Sequence, residues 1–132
     1  MSNSDGCPFA EWLDARVAET KGFTALVLLL SMRGDRVDPV SCSYVHVIGN
    51  EVSWAELKSM LDASGKTWDG VAIFVERTPG GGPVFDLVAK ARLQQRIEEV
   101  TMNRMVLNEA GLFDRRGRRI RIDPVEARGY EA

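Results

Sequence analysis

The sequence predicts a single α+β domain, in which a mixed β-sheet of four to five strands packs against three helices. The chain has 132 residues, a length that fits one domain. Two short runs, Phe23–Met32 and Val71–Val75, are apolar at nearly every position, which is typical of strands covered on both faces. Three other segments repeat apolar residues at helical spacing. The predicted order of elements is therefore α-β-β-α-β-α-β-β.

The first predicted helix runs from about Pro8 to Thr20. Proline suits the first turn of a helix, and Gly22 suits a left-handed stop after the last turn. The apolar stripe of this segment consists of Phe9, Trp12, Leu13 and Val17. These residues recur at a spacing that places them on one face of a helix, so we expect that face to be buried.

Two strands follow and predict a hairpin. The apolar run from Phe23 to Met32 is the first strand, and a polar turn region, Arg33–Pro39, separates it from the second. The second strand, Ser41–Ile48, alternates between apolar and polar residues. One of its faces carries Cys42, Tyr44, His46 and Ile48. Cys42 and His46 are four residues apart along a strand, about 13 Å, so they cannot form a catalytic pair.

The clearest local signal lies at Ser53 and Glu56, whose spacing predicts a capping box at the start of a helix. That helix is expected to run to about Ala63 and to end at Gly65. Its predicted core residues are Trp54, Leu57, Met60 and Leu61. A helix between the second and third strands implies a right-handed crossover between parallel strands, and hence a mixed sheet.

The longest predicted helix runs from about Val84 to Met102. Its apolar stripe consists of Phe85, Val88, Ala89, Leu93, Ile97 and Val100, and charged residues fill the opposite side. Because two strands are apolar on both faces, we expect at least one helix on each face of the sheet.

The C-terminal part is predicted to form strands at Arg104–Leu107 and Leu112–Phe113. Asp114 and Gly117 occupy the first and fourth positions of a type I turn, after which Arg118–Ile122 returns as a strand. The expected domain spans residues 8–124, with a disordered N-terminus at 1–7 and a loose tail at 125–132.

Composition and charge narrow the function classes. The formal net charge is −2, so no global field favours nucleic acid or an anionic membrane. The chain has two cysteines and one histidine, Cys7, Cys42 and His46, which are too few for a zinc site of the Cys/His type. No cofactor or metal is predicted. The N-terminus is polar and unlike a secretory signal, and two reduced thiols fit a cytoplasmic protein. No run is long enough to span a membrane.

Arginines dominate the predicted C-terminal hairpin and are its candidate binding residues. Five fall within seven positions: Arg115, Arg116, Arg118, Arg119 and Arg121. The arginine fork binds phosphate and carboxylate groups through two hydrogen bonds, so this hairpin predicts a contact with an anion. Two alternatives remain open. The charges could protect an edge strand against aggregation, or pair with Glu98, Glu99 or Glu109.

A glycine loop offers an alternative anion site. Gly80, Gly81 and Gly82 lie between a strand and a helix, as in loops that bind phosphate. The spacing matches neither of the common nucleotide-binding glycine motifs, and the flanking prolines favour a mobile connector.

The predicted function is that of a small, non-enzymatic binding or regulatory domain. An unknown protein partner is the expected ligand, with weak nucleic-acid contact as a further possibility through the arginine hairpin. The alternative is a small enzyme or a nucleotide- or phosphate-binding protein that uses the glycine loop, with His46 or Glu76 nearby.

Overall fold

The computed structural model describes residues 8–18, 22–34, 36–48 and 53–122. Its elements are α1 (Pro8–Ala18), β1 (Phe23–Arg33), β2 (Arg36–Val47), α2 (Trp54–Asp62), β3 (Gly70–Glu76), α3 (Asp86–Met102), a 3₁₀ helix (Arg104–Glu109) and β4 (Gly111–Asp114). The fold is a single α+β domain, and the predicted order is confirmed when the segment that returns after β4 is counted as the last β element. The termini predicted to be disordered or loose, with Cys7, lie outside the described residues.

Within the described residues the sheet has four strands in the order β2-β1-β3-β4, and every neighbouring pair is antiparallel. The predicted mixed sheet is not observed, because no hydrogen-bonded pair of described strands is parallel; that prediction came from the helix between β2 and β3. These two strands do run in the same direction, because both are antiparallel to β1, but β1 lies between them. The crossover through α2 therefore passes β1 without creating a parallel hydrogen-bonded pair. β1 takes the central place because its side chains are apolar on both faces.

Side chains of β1 alternate between two hydrophobic layers. Ala25 and Val27 pack in the layer that contains α1 and α2, whereas Leu26 and Leu28 pack in the layer that contains α3 and the 3₁₀ helix. The expectation of helices on both faces is thus confirmed. At the β4 edge, α1 from one layer and the 3₁₀ helix from the other both contact β4.

Several expected core residues are exposed instead. Phe85 has 83% of its surface exposed, and Met60 and Val88 are also exposed. Phe85 is the N-cap of α3 and lies outside its helical turns, so the spacing of the apolar stripe does not determine where its side chain lies. Conversely, Trp68 is only 1% exposed, although it follows α2 and belongs to no periodic stripe.

The capping box at Ser53 is confirmed. The Ser53 hydroxyl accepts a hydrogen bond from the Glu56 backbone N–H at 3.1 Å, and the Glu56 carboxylate accepts one from the Ser53 N–H at 3.0 Å. Gly65, which was expected to end the helix, has a φ of +78°, the left-handed conformation that glycine favours. The first hairpin is tighter than predicted, because β1 extends to Arg33 and β2 begins at Arg36.

The prediction of a strand at Arg104–Leu107 is wrong. These residues belong to the 3₁₀ helix, whose start is capped by Asn103, since its side-chain oxygen accepts the Met105 N–H at 3.0 Å. The predicted strand Arg118–Ile122 is reduced to a single bridge between Phe113 and Arg119. It does not continue because the Ile122 N–H bonds instead to the side chain of Asn108, at 2.8 Å.

Candidate functional site

The tip of the arginine hairpin is docked onto two tryptophans. The Arg115 guanidinium lies over the Trp68 ring, 4.3 Å from its centre, and forms an ion pair with Asp62 at 3.1 Å. Trp54 donates a hydrogen bond from Nε1 to the Arg115 carbonyl at 3.1 Å. The hydrogen bond from Trp68 Nε1 to Asp62 and the nearby Arg115 cation hold the pKa of Asp62 below its ordinary value.

The turn itself depends on Asp114 and Gly117. Gly117 has a φ of +79°, and a β-carbon there would lie 3.1 Å from the Trp54 ring. The Asp114 carboxylate accepts hydrogen bonds from the N–H groups of Arg116 and Arg118, and from Arg118 Nε at 2.7 Å. Burial alone would raise the pKa of Asp114, but these hydrogen bonds outweigh it and hold the pKa below its ordinary value.

The five hairpin arginines therefore have different environments. Arg115 and Arg118 are paired with carboxylates, although with Asp62 and Asp114 rather than with the glutamates considered from the sequence. Arg119 donates to the Ala110 carbonyl at 3.4 Å. The side chains of Arg116 and Arg121 have no polar partner within the part of the chain that the structure describes. The hairpin is thus partly structural and partly open to a ligand.

A cleft of about 220 Å³ lies beside β3, at the Gly111 end of β4. Three arginines from different elements line it: Arg16 from α1, Arg96 from α3 and Arg119 from the segment after β4. Among the described residues that line it, Glu109 is the one carboxylate. We refer to this feature as the arginine cleft. Of these three arginines, the sequence predicted only Arg119 as a binding residue. Arg16 and Arg96 lie on helices that cover opposite faces of the sheet, and no sequence pattern links them.

Each arginine of the cleft lies over an aromatic ring of the core. The pairs are Arg16 over Trp12 at 5.8 Å, Arg96 over Phe74 at 4.6 Å and Arg119 over Phe113 at 5.6 Å, measured to the ring centres. Cation–π contacts of this kind contribute about 0.5 to 2 kcal/mol each. They restrict the arginine side chains before any ligand binds, which lowers the entropy cost of binding.

Carboxylates surround Arg96 and partly offset the charge of the cleft. Arg96 lies 3.0 Å from Glu99, 3.6 Å from Glu109 and 3.8 Å from Glu76. Its Nε is nevertheless buried, without a hydrogen-bond acceptor among the described residues. A buried donor without an acceptor costs free energy.

The glycine loop forms a closed turn around Thr78. Thr78 donates its N–H to the Gly82 carbonyl at 2.8 Å, and the Thr78 carbonyl accepts from Gly81 at 2.8 Å. The Gly82 N–H donates to the Thr78 hydroxyl at 3.1 Å. Since Gly81 and Gly82 already use their N–H groups within the turn, a phosphate would have to open this turn to bind there.

His46 lies near the end of this loop and joins three elements. Its Nδ1 is 2.8 Å from the Thr24 hydroxyl, and its Nε2 is 2.9 Å from Asp86 at the start of α3. Thr24 has no exposed surface, and its hydroxyl also accepts the Val84 N–H at 3.0 Å. The threonine, histidine and aspartate resemble a hydrolytic triad in composition only, because a buried hydroxyl cannot attack a substrate. The network attaches α3 to β1 and β2.

Glu76, the other residue considered for the alternative, pairs with Thr24 on the opposite side of β1 from His46. Its carboxylate accepts two hydrogen bonds from Arg92, at 3.1 and 3.2 Å. Among the described residues, no three His, Cys, Asp or Glu side chains are close enough to hold a metal ion. No helix in the described ranges has the length and hydropathy needed to cross a membrane.

No protein-family model, curated protein or solved structure matches this chain at a significant level.

Proposed function

We propose that this protein is a non-enzymatic binding domain that recognises an anionic group of its partner in the arginine cleft. The observation that carries the proposal is the convergence of Arg16, Arg96 and Arg119 on one cleft, each held over an aromatic ring. Arginine presents a planar fork of donors that fits carboxylate and phosphate oxygens. A rigid group of such forks is therefore suited to binding an anion.

The hairpin carries two further arginines outside the cleft. Arg116 and Arg121 are exposed, and their side chains have no polar partner among the described residues. Charges at such exposed positions are screened by salt, and the glutamates beside Arg96 reduce the local potential. We therefore expect modest affinity that falls as the salt concentration rises.

A protein is the partner that we favour, and the cytoplasm is the compartment. The cleft is small and partly apolar, which suits a side chain or a chain end better than a continuous nucleic-acid backbone. Cys42 is a free thiol on β2, which is compatible with a reducing compartment. Nucleic-acid contact through the hairpin remains a weaker, secondary expectation.

The test is a titration of the full chain with fluorescent polyglutamate and with a single-stranded RNA at low salt. We expect Arg119→Gln to weaken polyglutamate binding by about tenfold, because a charge-assisted hydrogen bond is lost. Arg36→Gln is the matched control, since it removes the same charge at the opposite edge of the sheet. The proposal would be contradicted if neither polyanion bound the protein. It would also be contradicted if the two variants lost equal affinity for polyglutamate.

A nucleotide- or phosphate-binding protein, or a small enzyme, remains the second candidate. What favours it is the placement of His46 and Glu76 on either side of Thr24, with His46 bonded to Asp86 at the start of α3. Inorganic phosphate should then protect the amides of Gly80–Gly82 from hydrogen exchange. Unchanged exchange at these amides, together with phosphate-induced shifts in the arginine cleft, would exclude the glycine loop.

A further inference from the structure

We propose that the arginine cleft binds the C-terminal carboxylate of an extended peptide, whose backbone pairs with the open edge of β3. This inference rests on the proposed function and specifies the ligand. It combines three features of the cleft: an unpaired stretch of strand edge, a group of arginines beside it, and a volume suited to the end of a chain.

The edge of β3 is only partly covered. β4 pairs with β3 from Gly70 opposite Asp114 to Ile73 opposite Gly111, where the pairing stops. β3 itself continues to Glu76. On this side, the last three residues of β3 have no strand partner among the described residues. The end of β3 thus forms one wall of the cleft, which Phe74 and Val75 line.

The hydrogen-bonding pattern of β4 shows which residue of β3 faces this opening. The Leu112 carbonyl accepts the Ile120 N–H at 3.0 Å, and the Asp114 N–H donates to the Arg118 carbonyl at 2.9 Å. Leu112 and Asp114 therefore direct their backbone groups away from β3. Because backbone groups alternate along a strand, Gly111 and Phe113 face β3 instead.

The partners of Gly111 and Phe113 on β3 are Ile73 and Val71, so the odd-numbered residues of β3 face β4. The next odd-numbered residue is Val75, which lies just beyond the end of the pairing. Its N–H and C=O point into the cleft, where a bound peptide can use both. Main-chain pairing at a strand edge is a common way to recognise an extended peptide.

The cleft also favours the end of a chain over its middle. A volume of about 220 Å³ accommodates one or two small residues. A carboxylate at that point lies between Arg119 and Arg96, which both line the cleft. Glu109, which is 65% exposed and only 3.6 Å from Arg96, is the group that an incoming carboxylate would displace.

The experiment compares a short N-acetylated alanine peptide that ends in a free carboxylate with the same peptide as a C-terminal amide. This peptide carries no other charge, so the two forms differ only in the group that is proposed to bind. Binding to the full chain is followed through the amide shifts of the protein. We expect the amide form to bind at least about tenfold more weakly, and the Val75 N–H to shift with the free acid.

Two variants locate the interaction. Arg119→Gln should weaken binding of the free acid by about tenfold, whereas Glu109→Gln should strengthen it by about threefold because a competing carboxylate is removed. Arg36→Gln should leave the affinity unchanged. Thermal melting of each variant checks that the fold is intact.

The outcomes separate this inference from the function on which it rests. If polyglutamate binds but the free-acid and amide peptides have equal affinity, the cleft recognises anions without recognising a C-terminal carboxylate, and the inference is wrong. If N-acetylalanine binds as tightly as the peptide and shifts Val75 equally, the ligand is a small carboxylate rather than a peptide. If no anion binds, both proposals fail.

Discussion

Gly111 is the residue at which β4, the first helix and the arginine cleft meet. A β-carbon at this position would lie 2.5 Å from Cε2 of Trp12, well inside the contact distance. Trp12 is buried and packs against Phe23 and Phe113 through edge-on ring contacts. Glycine is therefore required here by the close approach of a rigid ring, not by an unusual backbone angle.

We expect Gly111→Ala to lower the free energy of unfolding by about 2 kcal/mol, because the added methyl group overpacks a site that cannot expand. Gly80→Ala is the matched control, since its nearest neighbour is Thr78 at 4.0 Å. That change should be close to neutral. Chemical denaturation of both variants is the measurement, and equal stability of the two would contradict the packing around Trp12.

Asp114 gives the turn a dependence on pH. Its pKa is lowered by hydrogen bonds that favour the ionised form, so its stabilising effect is complete above its ordinary pKa of about 3.9 and is lost as the pH falls through the lower, folded value. We expect Asp114→Asn to reduce the stability by about 1 kcal/mol at neutral pH. The difference from the wild type should shrink below about pH 4. Urea titrations at several pH values measure it, and a constant difference would mean that ionisation of Asp114 is irrelevant.

At the scale of the elements, α2 and α3 begin in different ways. α2 starts with a complete capping box, whereas the N-cap of α3 is Phe85, whose side chain makes no capping hydrogen bond. The start of α3 is held instead by tertiary contacts, through Asp86 to His46 and through Val84 to Thr24. A local sequence signal therefore marks the start of one helix and is absent from the other.

Ser53→Ala should destabilise the protein by about 1 kcal/mol, because the backbone N–H of Glu56 loses its acceptor. Ser59→Ala, at an exposed position inside the same helix, provides the control and should be neutral or slightly stabilising. Thermal unfolding distinguishes the two. A Ser53 variant as stable as the Ser59 variant would show that the cap adds nothing to the fold.

For the whole molecule, the position of each strand in the sheet predicts how slowly its amides exchange. β1 has strands on both sides and hydrophobic layers on both faces, whereas β2 forms one edge of the sheet. We expect the amides of Leu26 and Leu28 to exchange only through global unfolding, and those on the outer edge of β2 to exchange through local opening. Native-state hydrogen exchange at increasing denaturant measures this order. Faster exchange in β1 than in β2 would be incompatible with the observed strand order.

The sequence by itself determined the elements whose signals are local or continuous. The two apolar runs predicted β1 and β3, because a strand that is covered on both faces needs apolar residues at successive positions. The spacing of Ser53 and Glu56 predicted the start of α2, because a cap involves only neighbouring backbone groups. The turn at Asp114 and Gly117 followed from the same kind of local chemistry.

Only the tertiary structure decided which of these elements are neighbours and which arginines meet. The 3₁₀ helix replaced a predicted strand because Asn103 caps it, and the return of the chain ended where Ile122 bonds to Asn108. Both interactions depend on side chains that no periodic pattern reveals. The arginine cleft was missed for the same physical reason. Arg16 and Arg96 are 80 residues apart in the sequence and belong to helices on opposite faces of the sheet. They line one cleft because β4 is too short to cover the end of β3.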